Sequence, residues 1–273
     1  MISQDDSESF IGHSNEELDR SVDPADVTAV LLCAGRGVRL RPLTDNVPKA
    51  LVEVHGLPLL DYHLRALQRL GIPRVILVVG YLGEQIRQHV GDGAAFGLAV
   101  EYAEQAHPRG TGDGLMTALP LVDTPFVMVV YADVYLGDSP GFWRELLRNR
   151  RPKIVGAVVP NAGTFGRLFT TNGHGTVHLE SIREKDGMDD AGLVNAGVYF
   201  LTEPVTRAVP LLTPSPRGEL ELTDAISQYT MKGGIVEVPT TDYWQDIGTL
   251  QSLKRANEQM ESQPSAWDPG RGG

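Results

Sequence analysis

Apolar runs and helical spacings alternate along the middle of this chain. Val27–Cys33 (VTAVLLC) and Arg74–Val79 (RVILVV) are short, nearly unbroken apolar runs, the pattern of strands buried on both faces. Between them Leu60, Leu64, Leu67 and Leu70 recur at helical spacing until Gly71 and Pro73 stop the helix. The pattern next predicts a short helix over Gly83–Val90 and a strand over Leu98–Tyr102. A helix can open over Gly112–Ala118, and Phe126–Tyr131 is a third central strand. Repeated strand–helix–strand units predict a mostly parallel sheet with helices on both sides.

The character changes after about residue 152. Ile154–Val159, Gly166–Thr170, Val177–Arg183 and Leu193–Leu201 read as strands separated by short Gly/Asn turns, an antiparallel or mixed extension of the main sheet. Helical spacing returns over Leu222–Met231 and Thr249–Met260. The expected fold class is α/β: a Rossmann-like three-layer α/β/α arrangement with a mostly parallel mixed central sheet. A smaller antiparallel lobe would stand over the carboxyl edge, where ligands sit in such folds.

Charge refines the domain boundaries. The chain has 273 residues, 24 basic against 35 acidic, and a net charge of −11. Residues 1–26 hold eight of the acids and only Arg20 as a base, without a sustained apolar period. That segment reads as a disordered acidic extension, the folded body as 27–260 and residues 261–273 as a flexible tail. The acidic balance argues against nucleic acid as a partner. No apolar run approaches the ~20 residues a membrane helix needs, and the acidic N-terminus is unlike a signal peptide. A single cysteine, Cys33, excludes a disulfide framework and a cysteine-cluster metal site. A cytoplasmic location is expected.

The most informative stretch is Leu31–Leu51, LLCAGRGVRLRPLTDNVPKAL, directly after the first strand. Gly35 and Gly37 let the backbone turn sharply and bring N–H groups close to a phosphate chain. Arg39 and Lys49 add two cations, with Pro42 and Pro48 stiffening the segment between them. A dinucleotide fingerprint would need a third small residue where Leu40 stands, and a P-loop would need a Gly-Lys-Ser/Thr ending that is absent. An ordinary β-turn with surface cations is the plain alternative, but the whole spacing from Gly35 to Lys49 is hard to obtain by chance.

Ala34–Lys49 resembles the opening signature of the sugar-1-phosphate nucleotidyltransferases, roughly A-G-G-x-G-x-R-L-x-P-L-T-x-x-x-P-K. Seven further blocks follow in that family's order. They are Gly91–Tyr102, Glu104–Leu115, Val130–Val134, Ile182–Lys185, Val194–Phe200, Arg217–Ala225 and Tyr243–Leu250. The resemblance implies a reaction in which a sugar-1-phosphate oxygen attacks the α-phosphorus of a nucleoside triphosphate and pyrophosphate leaves. The nucleophile is already an anion, so catalysis reduces to alignment and charge neutralisation. The body would divide into a nucleotide-binding half (27–152) and a sugar-binding half (153–260).

Carried over by resemblance, Ala34, Gly35 and Gly37 would form the nucleotide turn, Arg39 would hold the triphosphate, and Lys49 would contact the phosphates near the transferring centre. Lys185 would hold the sugar phosphate. Gln105, Gly110 and Thr111 would form the base-reading loop, and Gly166, Glu184 and Asn195 the sugar pocket. Asp133 ends an apolar strand, where an unpaired carboxylate is costly unless it caps a turn or meets a cation. With Asp246 it would supply the two carboxylates for Mg2+, the cofactor the resemblance implies. Arg217, Glu219 and Asp224 serve equally as structural residues. Partners would be the two substrates, and a homo-oligomer is expected from family habit alone.

Four positions depart from the commonest family pattern: Val38 for Thr or Ser, Ala132 for Gly, Asp113 for a small apolar residue, and Arg167 for an aliphatic one. None removes a cation or carboxylate the chemistry needs, but they leave the nucleotide base and the sugar open. Two other readings stand beside the enzyme. A catalytically silent regulatory paralogue would typically have lost Arg39, Lys49 or Asp133. A glycosyltransferase of similar topology usually wants two acids around one residue, whereas Val134 and Tyr135 follow Asp133.

Overall fold

The computed structural model describes residues 15–137, 140–173 and 175–262. The chain opens with α1 (Asn15–Leu18) and enters the sheet as β1 (Val27–Leu32). A hairpin of β2 (Glu53–Val54) and β3 (Leu57–Pro58) leads into α2 (Leu59–Leu70). Then come β4 (Arg74–Val79), α3 (Gly83–Val90), β5 (Ala99–Glu104), α4 (Thr111–Ala118) and β6 (Phe126–Tyr131). β5, β4, β1 and β6 lie side by side and parallel in that spatial order.

The second half joins the same sheet. After β7 (Val134–Tyr135) and α5 (Pro140–Glu145) come β8 (Lys153–Val159), β9 (Gly166–Gly173), β10 (Thr176–Glu184) and β11 (Gly192–Thr202). β11 runs antiparallel to β6, so the antiparallel strands continue the central sheet directly. α6 (Glu203–Thr206), α7 (Leu222–Met231), β12 (Thr240–Thr241), β13 (Gln245–Asp246) and α8 (Leu250–Ser262) complete the described chain.

Period-two alternation of the strands explains the three layers. Ala29, Leu31, Val75, Leu77, Met128 and Val130 point to one face, where Leu60, Leu64 and Leu67 of α2 cover them. Val30, Ile76, Val78, Val127 and Val129 point to the other, beneath Leu115 of α4 and Leu222, Ala225 and Ile226 of α7. A third cluster packs Ala256 and Met260 of α8 against Ile247, Tyr135, Tyr62 and Val54. It braces the short β13–β7 pair at the carboxyl edge.

One sequence expectation needs correction. Residues 15–26 are not a free acidic arm: Val22 is buried in the core and its N–H donates to the Leu147 carbonyl. The Arg150 N–H donates to the Leu18 carbonyl, while Glu17 and Asp19 pair with Arg150 and Arg151. Two of the acids that made this stretch look solvated, Glu17 and Asp19, meet cations more than 130 positions away. Residues 1–14 and 263–273, where the rest of the expected extension and tail fall, lie outside the described residues.

Val22→Asp tests this seam, because it buries a carboxylate without a partner. A cost of roughly 2 kcal/mol, at about 2–4 °C per kcal/mol for a chain of this size, should lower the melting temperature by about 5 °C. An unchanged melting temperature would mean that the segment contributes nothing.

Candidate active site

The site forms where three parallel strands end. β1 runs into Cys33–Gly37, β5 into Gln105 and β6 into Asp133, all at the carboxyl edge. Leu32, Cys33, Ala34, Gly35, Lys49, Gln105, Pro108, Gly110, Thr111, Tyr131, Asp133 and Glu219 are among the residues lining one cavity of about 260 Å³ there. The fold thus gathers most of the expected nucleotide-side residues in one place.

Gly37 sits at φ +59°, and a Cβ there would meet Thr44 Cγ2 at 2.9 Å and Lys49 Cβ at 3.1 Å. Thr44 Oγ1 donates to the Gly37 carbonyl at 2.8 Å and closes the loop. The turn therefore packs onto the stem of Lys49. Lys49 is itself buried, and its Nζ donates to Asp133 Oδ2 at 2.6 Å. Gly110 (φ +112°) abuts the Leu220 backbone, the Leu220 N–H donates to the Arg109 carbonyl, and the Gly112 N–H donates back to the Leu220 carbonyl. This stitches the base-side loop to the approach to α7.

Asp133 and Asp246, 113 positions apart, arrive on adjacent chains. Asp246 pairs with Val134 across β13 and β7, and the Ile247 N–H donates to the Asp133 carbonyl at 2.9 Å. A Cβ on Gly248 would approach Asp246 Oδ2 at 2.5 Å and Arg39 Nη2 at 2.9 Å, which puts the exposed Arg39 guanidinium beside the second carboxylate. Burial works against the Asp133 carboxylate, yet Lys49 and, to a smaller extent, Arg39 outweigh it and hold its pKa below the usual range. Asp246 goes the other way: burial and then repulsion from Asp133 raise its pKa, although Lys49 and Arg39 partly oppose them. His63, buried behind this strand end, is pushed down to about 4 by burial and stays neutral at physiological pH. Burial likewise raises the Cys33 thiol, which leaves it a packing residue.

The sugar-side residues do not line this cavity. Glu184 opposes Gly166 across β10 and β9, and a Cβ on Gly166 would lie 2.8 Å from Glu184 Oε1, so glycine leaves room for the carboxylate. Thr223 Oγ1 donates to Glu184 Oε1 at 2.8 Å, and Arg217 stands 3.7 Å from Oε2. Asn195 is engaged at both ends: its Nδ2 donates to the Tyr199 hydroxyl and its Oδ1 accepts from the Gly197 N–H. Lys185 is exposed at φ +45° with its N–H donating to the Phe165 carbonyl. Sequence reasoning missed Tyr131, Thr223 and the Arg109–Asp113 pair. Only the i, i+4 spacing of that pair could have signalled it.

The model of the nucleotidyl transferase family matches residues 28–263. The chain belongs to that family. It is 35% identical over 84% of its length to a glucose-1-phosphate thymidylyltransferase of Streptomyces antibioticus, covering 65% of that protein. It is 31% identical over 86% of its length to a UTP–glucose-1-phosphate uridylyltransferase of Haloferax volcanii, covering 97% of it. The chain spans about half the length of bifunctional GlmU proteins of methanogens that it also matches, as in the 53% for Methanococcus aeolicus. Among solved structures, one from Bacillus anthracis described as a glucose-1-phosphate thymidylyltransferase, in complex with a sucrose, superposes with TM-score 0.76 at 25% identity. That match covers 85% of this chain and 94% of the other. These likenesses support the α/β reading of the sequence and a sugar-1-phosphate branch of the family. No helix among the described residues is long and apolar enough to cross a membrane.

The opposed shifts of the two carboxylates give a stability test. Asp246 titrates higher in the folded chain than unfolded, so its ionisation costs stability above its folded pKa and nothing well below the unfolded value of about 3.9. In chelator, Asp246→Asn is expected to raise the melting temperature at neutral pH and to give no gain below about pH 3.5. A loss of stability at neutral pH would show that the two carboxylates do not repel.

Proposed function

We propose that this chain transfers a nucleoside monophosphate from a nucleoside triphosphate to a sugar-1-phosphate and releases pyrophosphate. The observation that carries the reading is Lys49, a buried cation paired with Asp133 at 2.6 Å, on a cavity walled by a glycine turn and Gln105. The relatives' names support UTP or dTTP as donor and glucose-1-phosphate as acceptor. Retention of Arg39, Lys49 and Asp133 together speaks against a silent paralogue.

In this reading the backbone of Ala34–Gly37 receives the triphosphate, and Arg39 and Lys49 screen charge on the phosphates as the acceptor oxygen approaches. Gln105 and Gly110 orient the base, while Glu184 holds sugar hydroxyls and Lys185 the sugar phosphate. Asp133 and Asp246 suit a magnesium ion: the β13–β7 pairing brings the two carboxylates to neighbouring positions, and Asp133 adds to the burial that disfavours the charged form of Asp246. Among the described residues no group of three or more His, Cys, Asp or Glu gathers, so phosphate and water oxygens would complete the ion's shell. Bound there, such an ion supplies further neutralisation of phosphate charge. No side chain needs to act as a general base.

The direct assay is pyrophosphate release with magnesium, each triphosphate in turn and a panel of sugar-1-phosphates. Lys49→Ala and Arg39→Ala are each expected to lower turnover by on the order of 10²-fold, since each removes a fixed cation from a phosphate transition state. Near-normal turnover in folded variants would reduce the glycine-turn stretch to surface.

Asp133→Asn and Asp246→Asn should each cripple turnover, with the double variant little worse than the worse single. Chelation should abolish activity and magnesium restore it. Independent multiplication of the two losses, or activity that survives a chelator, would refute a shared ion.

A further inference from the structure

Gln105 is held in the nucleotide cavity by two groups that can only accept. Its Nε2 donates to Asp113 Oδ2 at 2.7 Å and to the Gly110 carbonyl at 3.3 Å. Asp113 is only 4% exposed, and its other oxygen, Oδ1, accepts from Arg109 Nε at 3.1 Å and Nη2 at 2.6 Å. Arg109 stands on the solvent side as the counter-ion of this buried carboxylate. A carboxylate and a carbonyl have nothing to donate, so the amide has one satisfied orientation. The NH2 group is taken up by Asp113 and Gly110, which leaves Oε1 as the amide atom free to meet a ligand in the cavity that Gln105 lines. Turning the amide over would break both bonds and set oxygen against oxygen in a buried place.

We propose that Asp113 is a specificity-determining positioning residue: by locking Gln105 it presents a fixed acceptor to the base. A pyrimidine seated against that acceptor is then taken as uracil or thymine and refused as cytosine. The proposal rests on the nucleotidyltransferase reading and narrows it. Uracil and thymine carry N–H at ring position 3, which donates to Oε1. Cytosine carries a lone pair at the same position, so two acceptors would face each other after losing water. Sites that leave a buried polar group unpaired reject the wrong partner by large factors, whereas a missing methyl is a weak signal. The same lock therefore separates uracil from cytosine sharply but uracil from thymine weakly.

The test uses the full chain with UTP, dTTP, CTP, GTP and ATP. Binding is read from the shift in melting temperature without sugar phosphate, and turnover from pyrophosphate release. Wild type should prefer UTP or dTTP over CTP by on the order of 10²-fold or more. In Asp113→Asn the new amide donates to Gln105 and its oxygen still accepts from Arg109. The shorter of the two bonds then favours the turned-over amide against the longer one to the Gly110 carbonyl, and Gln105 can offer Nε2 to the base. The UTP-to-CTP preference should fall at least tenfold, with CTP gaining in absolute terms. Gln105→Leu keeps the Arg109 bonds to Asp113 Oδ1 and should also abolish the preference, without the gain for CTP. If CTP or a purine triphosphate serves wild type as well as UTP and dTTP, or if Asp113→Asn keeps the wild-type ratio, the proposal fails while the reaction class stands. If no triphosphate binds, the nucleotidyltransferase reading fails and takes this inference with it.

Discussion

The buried Lys49–Asp133 contact is the interaction on which the rest of the carboxyl edge depends. Two carboxylates meet there because the sheet ends one strand at Asp133 and the C-terminal segment lays Asp246 alongside. Without Lys49 between the glycine turn and that pair, two negative charges in a half-buried place would have only the exposed Arg39 to oppose them. Lys49 is fixed in turn by Gly37, whose left-handed backbone lets the loop close on the lysine stem. With Arg39 beside Asp246 the four groups sum to zero. That neutrality is complete only while the site is empty of phosphate. A triphosphate and a sugar phosphate each bring more negative charge, which is the physical case for a divalent ion on the two carboxylates.

Much of the fold was legible because β1, β4 and β6 are apolar on both faces, and such runs stand out without partner information. β4, α3, β6 and α7 have the limits the spacing predicts. Residues 15–26 misled because local acid density says solvated, while what orders them is Val22 in the core and cations 132 or more positions away. Long-range pairing of that kind leaves no local mark. The same holds for Thr223 and Arg217 on Glu184: each is unremarkable in its own stretch and gains meaning only when α7 packs behind β10.

Arg167 shows how a departure from the common pattern can be absorbed structurally. Its buried guanidinium binds Asp186 at 3.0 Å, Asp190 at 2.5 Å and the Met188 carbonyl at 3.1 Å. The cost of burying one cation is offset because every partner lies in the single turn between β10 and β11, which it closes. Lys185 immediately precedes that clamp, and its left-handed backbone is held from the other side by the Phe165 carbonyl. An aliphatic residue at 167 would pack there but leave two aspartates without a counter-ion. The arginine and the acids therefore have to be read as one unit.

The two halves of the sheet are joined at the carboxyl end of β6. Tyr131 ends β6, and its hydroxyl bonds the Tyr199 hydroxyl of β11 at 2.7 Å, which also takes the Asn195 amide. Tyr131 further engages Thr111 at the start of α4, and Thr111 Oγ1 accepts the Leu222 N–H that opens α7. Burial raises both tyrosine pKa values well above ordinary, so the chain stays neutral and hydrogen-bonded across the working pH range. Each member is satisfied, which is the condition under which a buried polar network rigidifies rather than weakens a core. Gly197 permits the join, because any Cβ there would strike the Tyr131 ring at about 3 Å. Displacements of about 1 Å between reacting groups can cost two orders of magnitude in rate. A network anchored in the sheet itself, rather than in the loops above it, therefore holds the end of β6, β11 and the openings of α4 and α7 at fixed distances.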